Sequence, residues 1–390
     1  MIDSVTFKIK DFVLYSTEYF TESQHKDLRG DFGLFGRYTT SYTNYPKQCA
    51  KEGLYFPQVS IIEQLKRSKG HLIPTSRNLL VQVSLPKLLF GTNIFDINEK
   101  LIPIVTQKLV EALAEIKVGV TTENVLNAIV TRVDFSKMIQ IAPSYGTTDQ
   151  ILRALMPYDL KQSSDFNRRD FHNGRDGFYL KFYNSSQSLV IYDKFDEIVT
   201  NGKTNLEQEI ARQYKEGKWT KGAIRFEVSL QKKQTVGGVM RQFTRTKQND
   251  FTLQEVARSD IAKAYLLRVF ESVYVKDFNR LVRLVGLKDK KLMQTINDHT
   301  DSLNTRAILY YLAHSVRDSG LKATIDDLRA QVSPATVGRY KSMIESVLGD
   351  TEATKDNVNA VTYLHRKLKA FRPVLPKRLT HILDVADTSD

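Results

Sequence analysis

The hydrophobic pattern changes its period near residue 250, and this change constrains the fold more than any other feature of the sequence. Before that point, short segments alternate apolar and polar residues, as strands with one buried face do, and helical segments lie between them. From about Phe251 onward the strand patterns end and helical spacing takes over. The pattern predicts an α+β protein, in which an antiparallel sheet with helices on one face is followed by an all-helical part.

Individual segments predict the elements of the first part. We expect strands at residues 7–15, 79–85, 128–136 and 223–230, a hairpin over 178–194, and helices near 103–116, 149–156 and 206–214. The basic, glycine-containing stretch between residues 231 and 250 indicates either a solvated connector or a DNA contact. We therefore predict two domains, residues 1–245 and 251–390.

Charge and cysteine content narrow the classes of function. Lys and Arg total 57 against 44 Asp and Glu, a formal charge of +13 that favours a polyanionic partner such as nucleic acid. The single cysteine, Cys49, excludes an internal disulfide and a multi-cysteine zinc site. No stretch approaches the roughly 18 apolar residues of a membrane span. We expect a soluble, cytoplasmic protein with no membrane partner.

Three predicted strands each carry a polar face. Alternation places Arg132 and Asp134 on one such face and Arg225 and Glu227 on another, and it gives Tyr192 and Lys194 a common face. If the strands pair, the carboxylates of Asp134 and Glu227 come close enough to hold Mg²⁺ or Mn²⁺, which prefer oxygen ligands. Glu197 is either a third ligand or part of the first turn of a following helix.

A tyrosine beside a metal-bound phosphate is a plausible nucleophile, because a nearby cation stabilises the phenolate. Lys194 would be that cation for Tyr192. Attack on DNA would give a phosphotyrosine bond and a free 3′ hydroxyl, which conserves the ester bond for later rejoining. Tyr179 and Tyr183 on the preceding hairpin arm compete for the role, and residue types alone do not choose among the three.

Four segments, in their order along the chain, resemble motifs of the filamentous-phage gene II replication initiator family. They are residues 84–95 (SLPKLLFGTNIF), 131–134 (TRVD), 189–194 (LVIYDK) and 224–227 (IRFE). Members of that family nick double-stranded DNA at an origin to start rolling-circle replication and later rejoin the displaced strand. The resemblance implies the same activity here, with Tyr192 as nucleophile and with Lys194 and Glu197 in the same motif. The motifs at residues 131–134 and 224–227 then supply Asp134 and Glu227.

The resemblance also implies partners and leaves one alternative open. The partners would be double-stranded origin DNA, the displaced single strand, and the replication helicase and polymerase of a bacterial host, in its cytoplasm. The Tyr-Asp-Lys and Arg-Phe-Glu motifs are also similar to those of plasmid rolling-circle initiators, whose nucleophile lies on the strand before the Tyr-Asp-Lys motif. That similarity keeps Tyr183, and less strongly Tyr179, as candidates.

The C-terminal part resembles a helix-turn-helix over residues 323–341, and the alternative is two helices of a bundle. Ser333 is a good N-cap, and proline follows at the first helical position. The second helix would place four side chains near a DNA groove: Thr336, Arg339, Tyr340 and Lys341. Arg132 and Arg225 are further predicted DNA contacts. The alternative function is a non-catalytic origin-binding protein or repressor, which would form no covalent adduct and would be indifferent to Mg²⁺ or Mn²⁺.

Overall fold

The fold is given by a computed structural model. It describes residues 1–27, 37–44, 53–68, 71–142, 147–155, 166, 168–174, 177–218, 222–275, 289–319, 321–349 and 355–376, and Cys49 lies outside these ranges.

Twelve strands lie in the described residues, and ten of them form one antiparallel sheet. The strands are β1 (Ile2–Ile9), β2 (Val13–Leu14), β3 (Phe20–Asp27), β4 (Arg37–Asn44), β5 (Gln58–Ser68), β6 (His71–Ser84), β7 (Val118–Gly119), β8 (Ile129–Gln140), β9 (Arg168–Gly174), β10 (Gly177–Tyr183), β11 (Gln187–Asp193) and β12 (Ala223–Leu230). The order across the sheet is β3-β4-β5-β6-β1-β8-β12-β11-β10-β9, while β2 pairs with β7. The predicted hairpin is confirmed as β10 and β11.

Fourteen α-helices lie in the described residues. They are α1 (Leu85–Phe90), α2 (Ile102–Glu115), α3 (Thr122–Leu126), α4 (Thr148–Leu155), α5 (Lys194–Asn201), α6 (Asn205–Lys215), α7 (Lys233–Thr244), α8 (Leu253–Val256), α9 (Ser259–Phe270), α10 (Asp289–His299), α11 (Leu303–Ser319), α12 (Leu321–Gln331), α13 (Pro334–Gly349) and α14 (Lys355–Ala370). In the described part of the chain the last strand ends at Leu230 and helices follow, so the predicted α+β class is confirmed.

One face of the sheet carries the main hydrophobic core. Val133 of β8 and Phe226 of β12 are buried on this face, as period-two alternation requires. Helices α2, α4, α7, α9 and α14 supply the residues that pack against it. Phe226 contacts Phe270 of α9 edge to face, with ring centroids 5.7 Å apart. Burial of this layer is the main force that holds the helices to the sheet.

The opposite face of the sheet is polar and is covered at one end by a small second layer. Phe195 of α5 stacks on Tyr214 of α6 with ring centroids 5.1 Å apart. These helices share a small apolar cluster with Met138 and Ala223, which lie on the polar face of β8 and β12. This apolar cluster covers one end of the polar face, and most side chains on the rest of that face are polar.

The predicted connector between residues 231 and 250 is wrong. Residues 233–244 form α7, whose Val236, Val239 and Met240 are buried in the main core. Local composition suggested a solvated linker, but the apolar residues three and four apart make one face of a helix. The core continues beyond residue 250 through α9 and α14, and a second core of residues in α10, α11 and α13 lies within 292–347. The predicted division into two domains between residues 245 and 251 stays a prediction, and the main core extends across that position.

The two helices of the predicted helix-turn-helix are present as α12 and α13. Ser333 caps α13, because its Oγ accepts a hydrogen bond from the Thr336 amide at 3.4 Å. Val337 and Ile344 are buried, and Ile344 lies in the second core. Among the described residues, no helix combines the length and apolar character that a membrane span needs.

Candidate active site

The sheet brings the three predicted polar faces together. In the register of β8 and β12, Ser136 lies opposite Glu227, and Asp134 lies opposite Ser229. In the register of β12 and β11, Arg225 lies opposite Tyr192. Because alternate residues share a face, the carboxylates of Asp134 and Glu227 and the phenol of Tyr192 belong to one surface of the sheet, which we call the polar surface.

Arg225 lies at the centre of this surface and is fully buried. Its Nη2 lies 2.9 Å from Asp3 Oδ1 and donates a hydrogen bond to Ser136 Oγ at 2.8 Å, while its Nε lies 3.4 Å from Glu227 Oε2. Its Nη1 donates to the main-chain oxygen of Asn93. The predicted DNA contact by Arg225 is therefore corrected: a guanidinium with no exposed surface, in contact with four protein groups, has no surface to offer a phosphate.

Asp3 is a site residue that the sequence did not reveal. It is 5% exposed and pairs with Arg225, and a register shift between Ile2 and Ser4 interrupts the regular pairing of β1 with β8. A bulge breaks period-two alternation, so no alternating pattern assigns Asp3 to the polar face. In the sequence, Asp3 is visible as an acidic residue near the start of a strand with many apolar residues. Its role in the site becomes clear only when the fold shows that it contacts Arg225.

Tyr192 and Glu227 form the contact with the clearest chemical meaning. The Tyr192 hydroxyl donates to Glu227 Oε2 at 3.4 Å. Burial, with the negative charges of Asp3 and Asp134 adding to it, raises the pKa of Glu227 to about 7. Burial, followed by the charge of Glu227, also raises the pKa of Tyr192 well above its usual range. The phenol is therefore protonated at neutral pH and lies beside a carboxylate suited to accept its proton.

Asp193 ends strand β11 and begins helix α5. Its Oδ1 accepts hydrogen bonds from the amides of Phe195 at 2.9 Å and Asp196 at 3.3 Å, which makes it the N-cap. Lys194 is the first residue of the helix, so its predicted place on the strand face with Tyr192 is wrong. The turn nevertheless keeps the side chain near the site, with its Nζ 5.6 Å from the centroid of the Tyr192 ring.

Lys194 and Glu197 form a pair at the start of α5. Lys194 is fully buried, and its Nζ donates to Glu197 Oε2. Burial lowers the pKa of Lys194, and the charge of Glu197 acts in the opposite direction. Glu197 lies in the first helical turn, which was one of its two predicted places, and its charge contributes to the raised pKa of Tyr192.

The two alternative nucleophiles lie on the neighbouring strand β10. Tyr179 is directly opposite Tyr192, and Tyr183 is opposite Ser188. Both are half-buried. The hydroxyl of Tyr192 reaches a carboxylate of the polar surface, whereas the register places Tyr183 four residues along the sheet from the position of Tyr192.

The carboxylates suit a hard divalent cation in their chemistry. Asp134 is 4% exposed, and burial raises its pKa while the charge of Arg132 lowers it. The negative charge of Asp3 also raises the pKa of Asp134, so the two carboxylates repel each other. Closely spaced carboxylate oxygens of this kind are the donors that Mg²⁺ and Mn²⁺ bind. Within the described ranges, however, no three His, Cys, Asp or Glu side chains stand in a metal-coordinating arrangement. Arg132 and Arg225 contact the carboxylates of Asp134, Asp3 and Glu227 instead.

The other predicted DNA contacts are distributed over two regions. Arg132 lies on β8 with 42% of its side chain exposed, and it contacts Asp134 Oδ2 at 3.2 Å. Thr336, Arg339 and Lys341 lie on α13, where Arg339 is exposed. Tyr340 packs partly against the second core, and the guanidinium of Arg339 lies 5.2 Å from its ring centroid.

Comparison with known proteins identifies the family of the chain. No curated protein and no solved structure matches it. A family model described as the N-terminal part of the phage gene II replication-associated protein matches residues 1–254, which is more than half of the chain. The match contains every described strand of the sheet and all the residues of the polar surface. The chain therefore belongs to the family of gene II replication-associated proteins, which confirms its resemblance to the filamentous-phage initiators.

Proposed function

We propose that this protein is a rolling-circle replication initiator that nicks one strand of origin DNA through a covalent bond to Tyr192 and later rejoins the displaced strand. The observation that carries the proposal is the hydrogen bond from the Tyr192 hydroxyl to Glu227, beside the buried carboxylates of Asp3 and Asp134. Family membership supports a role in replication.

In the proposed step, Tyr192 Oη attacks the scissile phosphorus and its proton passes to Glu227 Oε2. The bond from phosphorus to the 3′ oxygen breaks, the departing 3′ oxygen takes a proton from solvent, and the DNA is left with a free 3′ hydroxyl and a 5′ phosphate on tyrosine. Reversal with another 3′ hydroxyl joins two DNA ends and frees Tyr192. The positive charge of Lys194 lies close enough to the phenol ring to stabilise phenolate.

The proposed cofactor is Mg²⁺ or Mn²⁺. Asp134 would hold it together with Glu227, which would use the oxygen that does not accept the phenol proton, with Glu197 as a third candidate, and the cation would neutralise charge on the phosphate. Binding would require Arg132 to release Asp134, to which its guanidinium is bonded at 3.2 Å. The partly exposed position of Arg132 allows that movement and leaves its guanidinium free to bind the DNA backbone.

We assign origin recognition to the helix pair α12 and α13, in which Thr336 and Arg339 lie on the N-terminal half of the second helix. The double-stranded origin, the displaced strand and the host replication helicase and polymerase are the proposed partners. A non-catalytic repressor that uses the same helix pair is the competing function. The two are separated by whether a covalent adduct forms.

The decisive experiment incubates the protein with supercoiled DNA that carries its candidate origin, with and without Mg²⁺ or Mn²⁺. We expect relaxation and a protein–DNA adduct that survives denaturation, both dependent on the cation. Tyr192→Phe should bind DNA normally and form no adduct. An adduct that persists in Tyr192→Phe would reassign the nucleophile to Tyr183 or Tyr179, and specific binding without any adduct would favour the repressor.

A further inference from the structure

Strand β10 presents a row of aromatic and basic side chains on the polar face of the sheet. Leu180 and Phe182 are buried in the main core, with 1% and 2% exposure. Alternation therefore directs Tyr179, Lys181 and Tyr183 to the opposite face, where all three are half-buried. We call these three side chains the β10 row.

The β10 row runs beside the strand that ends at the proposed nucleophile. Its residues lie opposite Tyr192, Val190 and Ser188 in turn, so Tyr183 is four residues along the strand from the Tyr192 position. At the rise of a strand, this separation is about 13 Å. A DNA strand with its scissile phosphate at Tyr192 would need only a few nucleotides to reach Tyr183.

The chemistry of the β10 row is that of a single-strand binding site. The Nζ of Lys181 lies 5.1 Å from the ring centroid of Tyr183, so a cation and an aromatic face stand together. Proteins bind unpaired strands by stacking bases on aromatic side chains and by neutralising phosphates with basic ones. A base inside a duplex is already stacked and does not offer its face.

We propose that the β10 row is a subsite for unpaired DNA, in which Tyr183 stacks on a base near the scissile phosphate and Lys181 contacts the adjoining backbone. The inference rests on the proposed function, because it needs a DNA strand at Tyr192. It assigns Tyr183 a binding role through its ring, whereas a nucleophile would act through its hydroxyl. That difference makes the proposal testable with a single pair of variants.

The test measures the affinity of full-length Tyr192→Phe protein for a fluorescent single-stranded oligonucleotide spanning the nick sequence, by anisotropy. In this background no covalent step through Tyr192 intervenes. Tyr183→Leu should weaken binding about tenfold, as the loss of one stacked base does, while Tyr183→Phe should stay within about twofold. Tyr311→Leu, which alters an exposed tyrosine on α11, is the matched control and should change nothing. Equal affinities for Tyr183→Leu and its parent would overturn the proposal.

Abasic substitution of the oligonucleotide locates the stacked base. One position should lose about tenfold in affinity when its base is removed, and that loss should vanish in Tyr183→Leu but persist in Tyr183→Phe. Lys181→Gln should reduce the slope of log affinity against log salt by about 0.7, the value for one phosphate contact on a single strand. An abasic effect that is the same in all variants would contradict stacking on Tyr183.

The failure of this inference and the failure of the proposed function give different results. If chains with Tyr192 intact form no adduct but the abasic pattern holds, the subsite stands and the nickase proposal fails. If the adduct forms and Tyr183→Leu binds like its parent, only the subsite fails. Loss of the adduct in Tyr183→Phe with Tyr192 intact would make Tyr183 the nucleophile and overturn the stacking role.

Discussion

At the scale of single residues, the polar surface is organised around buried charge. Arg225 contacts Asp3, Glu227 and Ser136, and it places one positive charge among three carboxylates, of which Asp134 is the third. Burial and mutual repulsion outweigh the attraction of Arg225 and the neighbouring Lys194 and Arg132, so the carboxyl groups of Glu227 and Asp134 hold their protons more tightly than exposed ones do. The carboxylates of the site therefore bind protons or a cation readily. This affinity can be measured separately from catalysis.

Glu227→Gln should stabilise the cation-free protein at pH 8 while it abolishes nicking. The pKa of Glu227 is about 7 in the folded protein against 4.5 for an exposed glutamate. The folded state therefore binds more protons between these values, and the free energy of unfolding falls as pH rises from about 4.5 to 7. The free energy of unfolding of Glu227→Gln lacks this pH-dependent fall. The difference in stability between the variant and the parent should therefore grow between pH 4.5 and pH 7 to roughly 3 kcal/mol.

Urea unfolding in EDTA at pH 5 and pH 8 measures the effect of Glu227→Gln. Glu209→Gln is the control, because Glu209 is exposed and its bonds to Arg212 lower its pKa, so no such advantage should appear. Addition of Mn²⁺ should raise the melting temperature of the unaltered protein and not that of Glu227→Gln. A variant that is equally stable or less stable than the parent at pH 8 would contradict the burial argument.

Arg225→Met should destabilise the protein by about 3 to 5 kcal/mol, because it leaves Asp3 and Glu227 buried without their cation. It should slow adduct formation but leave the salt dependence of DNA binding unchanged, since Arg225 has no exposed surface. Arg132→Gln is the matched comparison, because its side chain is 42% exposed and its loss should reduce the salt slope by about 0.7 to 0.9. A reduced slope in Arg225→Met would restore the predicted phosphate contact.

At the scale of elements, helices form where apolar spacing overrides local composition. Helix α7 contains Gly237 and Gly238, two residues that weaken a helix, yet its buried face holds it against the sheet. The two glycines differ in their surroundings. A β-carbon on Gly237 would lie 2.8 Å from the main-chain oxygen of Asn249, whereas one on Gly238 would meet nothing within 4 Å.

This difference predicts opposite effects of the same substitution at adjacent positions. Gly238→Ala should raise the free energy of unfolding by about 0.5 to 1 kcal/mol, because it removes the conformational freedom of glycine from a helix. Gly237→Ala should lower it, since the backbone near Asn249 must move to make room. Chemical denaturation of both variants checks the pair. Similar effects at both positions would indicate that residues 233–244 are not packed as a helix on the sheet.

At the scale of the whole molecule, the main core crosses the chain position where the strand patterns end. Phe251, Phe270 and Leu364 are all buried in the layer that covers the apolar face of the sheet. The segment after α14 also returns to the polar side, where the Val374 amide donates to Asp96 Oδ2 at 2.9 Å. The helical part therefore completes the sheet layer as well as carrying the helix pair α12 and α13.

A fragment of residues 1–250 should fail to fold as a stable monomer, because it would expose the apolar face that α9 and α14 cover. We expect aggregation or strong binding of a hydrophobic dye, with no cooperative thermal transition. The full chain under the same conditions is the control. Cooperative unfolding of a monomeric fragment would show that residues 1–250 form a complete domain, as the division at residue 245 assumes.

Local spacing in the sequence was enough to predict parts of β1, β6, β8 and β12, the hairpin of β10 and β11, the helices α2, α4 and α6, and the polar faces that carry Asp134, Glu227 and Tyr192, because period-two and helical spacing are local properties of the chain. It did not predict β3, β4, β5 or β9, and the single strand expected over residues 7–15 is two strands, β1 and β2. The sequence also carried the motifs of the family. The packing of α7 on the sheet, the burial of Arg225 and the position of Asp3 in the site became evident from the three-dimensional fold. Burial depends on which elements pack together, and a bulge changes the face to which the following residues of a strand point. Neither property can be predicted from the local spacing of apolar residues.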